Sequence, residues 1–160
     1  MLREEFQTPE AGMGERAAAR LTTRFVLDLC GVMAEVAGGD LLRGLILTAI
    51  VDANVGHLAA QESRDHGSME GIPPDDLRRP ISISALARLL KIPYETTRRH
   101  VARLLDEGIC IRIEDRGVIV PAAMLAQIKP VTAHHYESLR GLLLALNEAG
   151  FDVEAMSRPS

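Results

Sequence analysis

The fold of this chain is decided between Ile81 and Pro121, where the sequence reads ISISALARLLKIPYETTRRHVARLLDEGICIRIEDRGVIVP. Two short helical patterns lie on either side of a tight break, and two strand patterns around a turn follow them. Ser84 is a candidate N-cap for the first helix. The apolar residues of that helix recur at helical spacing: Ala85, Leu86, Leu89 and Leu90. Pro93 suits the start of a second helix, and Gly108 is placed to end it.

The second helix of this segment has two chemically different sides. Four residues at helical spacing predict its buried stripe: Thr97, Val101, Leu104 and Leu105. The opposite side carries polar and charged residues: Glu95, Arg99 and Arg103, with Thr96 and Ala102 beside them and Arg98 on the flank. A cationic face that contains a small residue can approach a polyanion closely.

A β-hairpin is predicted directly after Gly108. Alternation of Ile109, Ile111 and Ile113 with more polar residues predicts a strand that buries the isoleucines. The sequence Asp115-Arg116-Gly117 supplies turn residues, and Val118–Val120 predicts the return strand. The residues from Ile81 to Ile83 predict a third, short strand beside this hairpin.

Helix, tight turn, second helix and hairpin together resemble the winged helix-turn-helix of bacterial transcription regulators such as the MarR and IclR groups. The resemblance is closest over Ser82–Gly117, about a quarter of the chain. In such proteins the second helix enters the DNA major groove, and the hairpin reaches the flanking backbone or the minor groove. The resemblance therefore implies a mainly α protein with a small hairpin wing that binds double-stranded DNA.

The resemblance also implies which residues contact DNA. They are Tyr94, Glu95, Thr96, Arg98, Arg99, Arg103, Arg112 and Arg116. Of these, Arg103 is expected to touch phosphate and Arg116 to lie at the wing tip. The sequence departs from the usual pattern at Pro93, where serine or threonine is common, and at Thr97, where valine is common. A winged helix that docks another protein without binding DNA is the alternative, and so is a purely structural packing unit.

The distribution of charge favours a polyanion partner although the whole chain has a net charge of −4. Residues 1–77 contain 6 basic and 13 acidic residues, a net −7. Residues 78–121 contain 9 basic and 5 acidic residues, a net +4 that coincides with the two helices and the hairpin. A chain of this kind would be steered onto DNA by its basic segment while the acidic remainder points away.

The remaining segments predict helical extensions around a DNA-binding domain. Residues 1–14 are expected to form a mobile tail, 15–39 an N-terminal dimerisation helix, 40–128 the winged domain and 129–160 a C-terminal dimerisation helix. Asp40 is a candidate cap for a central helix that runs from Leu41 to about Ala60. Pro130 is expected to separate a short helix after Pro121 from a last helix over about Ala133–Ala149. Residues 61–80 are predicted to be a loop, either a linker or a lid over an effector site.

Apolar stripes on the terminal helices predict a homodimer. Their residues are Leu21, Phe25, Leu29, Val32 and Val36 near the N-terminus, and Leu139, Leu142, Leu143 and Leu146 near the C-terminus. Together they present more apolar surface than a small winged domain can cover, which is typical of an interface. Burial against the chain's own central helix is the alternative for the first stripe.

Catalytic and metal-binding motifs are not evident in the sequence. It has no phosphate-cradling glycine loop, HExxH pair or CxxC motif. The sequence therefore predicts a cytoplasmic regulator that is not an enzyme and that needs no cofactor, metal or membrane, although a small-molecule effector is left open. Cys30 and Cys110 are expected to be reduced thiols, with a redox switch as the alternative.

Overall fold

The computed structural model describes residues 13–58 and 71–151, and it describes only the backbone of Met13 and of residues 128–130. The predictions for residues 1–12, for most of the loop at 61–80 and for the last nine residues lie outside this part of the chain. The described part is mainly helical, as predicted. Its helices are α1 (Met13–Val36), α2 (Leu41–Val55), α3 (Ile83–Leu90), α4 (Tyr94–Asp106) and α5 (Ala122–Glu148). The strands β1 (Ile111–Ile113) and β2 (Gly117–Ile119) pair antiparallel.

The chain divides into two compact units. Of the described residues, 13–29 and 135–151 belong to the first unit, and 30–58 and 71–134 belong to the second. Helices α1 and α5 therefore contribute residues to both units. The first unit is a pair of helix segments, and the second contains α2, α3, α4 and the β-hairpin.

The core of the second unit is built around α2. Ile46 and Ile50 on α2 are fully buried, as are Leu86 on α3 and Val101 and Leu104 on α4. Val118 and Val120 complete the same cluster from the hairpin side. Asp40 caps α2 as predicted, because its carboxylate accepts a hydrogen bond from the Arg43 backbone N–H at 3.0 Å. These contacts make α2 the central helix of the unit.

One glycine on α2 permits close packing against α1. A Cβ atom added at Gly44 would lie 2.2 Å from the backbone oxygen of Met33. Any larger side chain at position 44 would force the two helices apart. The approach lies within the second unit and brings α1 against the first turn of α2.

The breaks on either side of α4 follow from the chemistry of helix ends. Gly108 adopts a φ of +71° after α4, and Ile109 N–H donates to Leu104 O at 2.9 Å, as in a Schellman motif. Lys91 closes α3 in the same manner with a φ of +54°, and Ile92 N–H donates to Ala87 O. The left-handed conformation at both positions turns the chain sharply, so the predicted tight turn and the predicted end at Gly108 are both found.

Helix α3 begins earlier than predicted. Ser82, not Ser84, is the N-cap, and its hydroxyl accepts from the Ala85 N–H at 3.2 Å. Ile83 consequently belongs to the helix, not to a strand. The buried face of α3 also differs from the predicted one: Leu86 and Ala87 are buried, whereas Leu89 is 57% exposed.

The predicted burial pattern of the first strand holds at Ile109, Arg112, Ile113 and Glu114 but is inverted at Cys110 and Ile111. Cys110 is buried, and Ile111, at the start of β1, is 40% exposed. Cys110 N–H donates to Leu104 O at 3.1 Å, so the end of α4 sets which way this residue faces. Strand β2 is buried throughout. Ile81 forms an isolated antiparallel bridge with Val118, which is the remainder of the predicted third strand.

Helix α5 continues through Pro130 without the predicted break. Proline removes one hydrogen bond from the helix ladder, but the residues on both sides remain helical. A helix once formed is extended cheaply, residue by residue, so one missing bond need not end a helix of 27 residues.

One described segment, Leu41–Leu58, is long and apolar enough to cross a membrane on length and composition alone. It consists of α2 and the following 3-10 turn at Gly56–Leu58. The core helix of a soluble protein satisfies the same test, and Ile46 and Ile50 on this segment are buried in the second unit. The segment is therefore weak evidence for a membrane span.

A buried side chain, Asn54, joins α2 to the hairpin. Its Nδ2 donates to Arg79 O at 2.8 Å and to Val118 O at 3.3 Å, and its Oδ1 accepts from the Val120 N–H at 2.9 Å. The side chain has no exposed surface. Three backbone groups from two distant segments thus depend on one amide.

Replacement of Asn54 is expected to destabilise the protein strongly. Asn54→Ala leaves the buried Val120 N–H and the part-buried Arg79 carbonyl without a partner, and we expect a loss of about 2–4 kcal/mol in the free energy of unfolding. Asn54→Asp should also destabilise, because a carboxylate cannot donate to Arg79 O and Val118 O. Asp52→Asn, an exposed change on the same helix, is the control and should stay within about 0.5 kcal/mol of the wild type. Urea unfolding of the three variants tests this, and equal stability of Asn54→Ala and the control would contradict it.

Candidate nucleic-acid interface

Helix α4 presents its cationic side to solvent because its other side is locked into the core. Thr97, Val101 and Leu104 are buried, as their spacing predicted. Thr97 stands where valine is common, and its buried hydroxyl donates a hydrogen bond to the Pro93 carbonyl at 3.2 Å. The extra polar group of threonine is therefore satisfied. Arg99 and Arg103 lie on the exposed side of the same helix.

The predicted DNA-contacting residues of α4 are nearly all accessible. Tyr94, Glu95, Arg98, Arg99 and Arg103 are exposed, and Thr96 is half-buried. Glu95 accepts a hydrogen bond from Arg98 Nε at 2.9 Å, so the charge of Arg98 is partly neutralised within the helix. Arg99 and Arg103 make no ion pair with any side chain that the structure describes. They are therefore the two cations of α4 that are available to a ligand.

The hairpin adds two more exposed cations. Arg112 lies on β1, and Arg116 ends the 3-10 turn Glu114–Arg116 between the strands. Neither makes an ion pair within the described residues. Gly117 follows the turn with a φ of +127°, and a Cβ atom at that position would lie 2.2 Å from Ile81 O. Position 117 therefore requires glycine, and this fixes where the turn ends.

One ion pair and one close side-chain contact join α4 and its C-cap residue to the start of α2. Arg43 forms a bidentate pair with Glu107, in which Nη1 donates to Oε1 at 2.9 Å. The hydrogen bond from Arg43 lowers the pKa of the Glu107 carboxyl below its ordinary value. His100 Nδ1 lies 3.5 Å from Asp40 Oδ2, closer to the middle of α4. The orientation of α4 about its axis is thus set at two points along its length.

One cation of the basic segment has a structural task that the sequence did not reveal. The side chain of Arg78 is buried, donates from Nε to Asp75 at 3.1 Å and donates from Nη2 to Pro73 O at 2.7 Å. Burial lowers the pKa of Arg78, and the pairing with Asp75 opposes that shift. Asp75 also accepts from the Ala122 N–H at 2.7 Å, at the start of α5. Arg78 is therefore not available to a polyanion.

The predicted dimerisation residues differ in burial, because some are half-buried and others are exposed. Leu21, Phe25 and Leu142 are half-buried and line a cleft of about 310 Å³ between α1 and α5 within the first unit. Three more of the predicted residues are also half-buried: Leu29, Val32 and Leu146. Val36 is exposed, and it lines a smaller cleft in the second unit together with Leu47 and Ile109. Much of the predicted N-terminal stripe is thus covered by the same chain. In the first unit the covering helix is α5, not the central helix α2 that the sequence suggested as the alternative.

The exposed apolar surface of α5 lies on a different face from the one that contacts α1. Leu139 and Leu143, both predicted, are exposed, and so are Tyr136 and Leu144, which the sequence analysis did not include. These residues follow the spacing of one helix face and line a common groove with Arg140 and Asn147. Their exposed fractions lie between 44% and 58%.

The two cysteines differ in accessibility. Burial raises the pKa of the Cys110 thiol to about 12. Since the thiolate is the reactive form, Cys110 is chemically inert in the folded protein. Cys30 is half-buried on α1. Of the two candidates for a redox switch, only Cys30 retains access to solvent.

Thiol labelling should distinguish these two cysteines. At pH 8 a thiol with the pKa of Cys110 is ionised to about one part in ten thousand, and its burial adds a steric barrier. We expect an alkylating reagent to modify Cys30 first and Cys110 only when the protein unfolds. Mass spectrometry of Cys30→Ser and Cys110→Ser checks this. Equal labelling rates in the two variants would show that Cys110 is accessible.

Within residues 13–58 and 71–151, no group of three histidine, cysteine or acidic side chains is arranged to hold a metal ion. No protein-family model, curated protein or solved structure shows a significant match to the chain.

Proposed function

We propose that the protein binds double-stranded DNA as a homodimeric transcription regulator, with α3, α4 and the hairpin acting as a winged helix-turn-helix. One observation carries the proposal. Arg99 and Arg103 on α4, and Arg112 and Arg116 on the hairpin, are exposed and without ion pairs among the described residues, whereas Arg43, Arg78 and Arg98 are paired. Unpaired arginines on a rigid helix suit a polyanion, because each can bind phosphate or a guanine edge in a bidentate manner.

The two ends of α4 suggest different tasks. Tyr94, Glu95 and Thr96 occupy the first turn, which in helix-turn-helix proteins lies nearest to the base edges. Arg99 follows one turn later and is suited to a guanine, while Arg103 lies further along and suits phosphate. Arg98 is paired with Glu95, and so it orients that carboxylate and contributes less to base contacts.

The surroundings of the site are compatible with this proposal. The net charge of −4 is set largely by residues 1–77, whereas residues 78–121 are basic. The excess of basic residues in this segment would raise the rate of encounter with DNA. A transcription regulator of the bacterial kind that the sequence resembles would act in the cytoplasm, where the chromosome lies.

A protein-docking role for the same segment has a specific observation in its favour. Leu89, Tyr94 and Ile111 are large, apolar and 40–57% exposed, which is unusual for a surface devoted to phosphate. Base edges and thymine methyl groups can also contact apolar side chains. Binding to duplex DNA decides between the two roles.

The DNA-binding role is tested by removal of the two unpaired cations of α4. Arg99→Ala should cost about 1–3 kcal/mol in binding to a selected preferred site if it contacts a guanine, and Arg103→Ala should weaken binding evenly across sequences. Arg79→Ala is the matched control, because Arg79 is exposed, belongs to the same basic segment and lies outside α4 and the hairpin. Gel-shift titration against a site selected from a random-duplex pool measures all three. Wild-type affinity of the Arg99→Ala/Arg103→Ala double variant would remove α4 from the interface.

The homodimer part of the proposal is assigned to the exposed face of α5. Tyr136, Leu139, Leu143 and Leu144 form an apolar stripe that water would otherwise cover. In an antiparallel pair of two such helices about a two-fold axis, Leu139 of one copy can lie opposite Leu144 of the other, with Tyr136 opposite Asn147. Apolar residues then meet at the centre and polar groups at the rim, as in stable interfaces.

Self-association should depend on this face. Leu143→Glu places a charge in the proposed interface and is expected to give a monomer, because an unpaired buried charge is costly. Leu89→Glu is the matched control, since Leu89 and Leu143 are exposed to 57% and 53%. Analytical ultracentrifugation at tens of micromolar, on the order of ordinary assay concentrations, measures both. A monomeric wild type, or a dimer that survives Leu143→Glu, would contradict the assignment.

A further inference from the structure

Helix α1 carries a row of arginines that the proposed function has not used. Arg16, Arg20 and Arg24 are spaced four residues apart and are all exposed. They lie on the side of α1 away from the buried Ala18, and Arg24 also lines the cleft that Leu21 and Phe25 share with α5. All three belong to the first unit.

These arginines have no partner in the described chain. None of them forms a hydrogen bond or an ion pair there, although Asp28 lies four residues beyond Arg24 and accepts from the Ser138 hydroxyl at 2.6 Å. Like charges four residues apart repel one another and weaken a helix. An ordinary solvated helix face mixes both signs of charge. An external anion bound to these three arginines would reduce the repulsion between them.

The spacing of the row suits a polymer of phosphates. Four residues of an α-helix advance about 6 Å, so the row spans about 12 Å. Each strand of duplex DNA presents a phosphate about every 3.4 Å along the helix axis, so the row covers the length of about three or four phosphates. Arginine side chains are long enough to adapt to the curvature of the backbone.

An anionic membrane surface is the competing partner, and it fits less well. A helix that lies on a membrane needs a broad apolar face to insert between lipids. On α1 that face is occupied, because Ala18 is buried and Leu21 and Phe25 are half-buried beside α5. Val26 and Leu27 are the large apolar residues that remain exposed in this part of α1.

We propose that Arg16, Arg20 and Arg24 form a second contact surface for the phosphate backbone of double-stranded DNA, separate from α4. This inference rests on the proposed DNA-binding function and deepens it. The row would add affinity without sequence preference, since phosphate contacts position a protein on DNA but do not specify bases. It would also make binding more sensitive to salt.

The test is the salt dependence of binding to a mixed-sequence duplex about 40 base pairs long, roughly four helical turns. Each phosphate contact contributes about 0.9 to the slope of log K against log salt. The Arg16→Gln/Arg20→Gln/Arg24→Gln variant should lower that slope by roughly 2–3 for each row in contact with DNA. Arg20→Gln alone should lower it by about 0.9, which protects the test if the triple variant folds poorly. Arg79→Gln, which removes an exposed arginine outside α1, α4, α5 and the hairpin, is the control and should leave the slope unchanged.

The outcomes separate this inference from the proposed function. If the wild type binds no duplex at any salt concentration, the DNA-binding proposal fails, and this inference fails with it. If the wild type binds but the triple variant and Arg20→Gln both keep the wild-type slope, the second surface alone is refuted. Binding of the wild type to phosphatidylserine vesicles that is lost in the triple variant, with an unchanged DNA slope, would assign the row to membranes and overturn the inference.

Discussion

The buried amide of Asn54 is the contact on which the candidate site depends. It joins the end of α2 to the backbone at Arg79, just before α3, and to both Val118 and Val120 at the hairpin. An amide can donate and accept hydrogen bonds at the same time, so a single side chain satisfies buried carbonyl and N–H groups from separate segments. Without it, the Val120 N–H and the Arg79 carbonyl would lose their partner, and the Val118 carbonyl would keep only the Ile81 N–H.

A second constraint sets the direction in which α4 faces. The first turn of α2 supplies Asp40 and Arg43, which meet His100 and Glu107 on α4. Asp40 serves twice, since one carboxylate oxygen caps α2 and the other faces the imidazole of His100. Together with the buried Thr97 and Val101, the Arg43–Glu107 ion pair and the Asp40–His100 contact restrict rotation of α4 about its axis. The exposure of Arg99 and Arg103 is a consequence of that arrangement.

The structure also sorts the arginines of an acidic protein by task. Arg43 and Arg78 hold segments of the second unit together, and Arg98 is paired with its neighbour on α4. Formal charge counted along the sequence treats these residues alike. The arginines on α4, on the hairpin and on α1 that form no ion pair are available to a polyanion, because no hydrogen-bonded carboxylate of the described chain has to be displaced first.

Local features of the fold followed from the sequence alone. The buried stripe of α4, the cap at Asp40 and the stop at Gly108 each depend on residues within a turn or two, so spacing and side-chain chemistry were sufficient to predict them. The sequence also placed the arginines of α4 on the side opposite that stripe, where the structure exposes them. Features that depend on distant segments were not predictable. The cap at Ser82 and the exposure of Leu89 follow from how α3 packs on α2 and α4, and Cys110 turns inward because the end of α4 binds its N–H. Leu21 and Phe25 line one cleft with Leu142 only because α1 and α5 lie side by side in the first unit. Burial is a property of contacts between segments far apart in sequence, and periodicity along one helix shows which face is apolar but not which partner covers it.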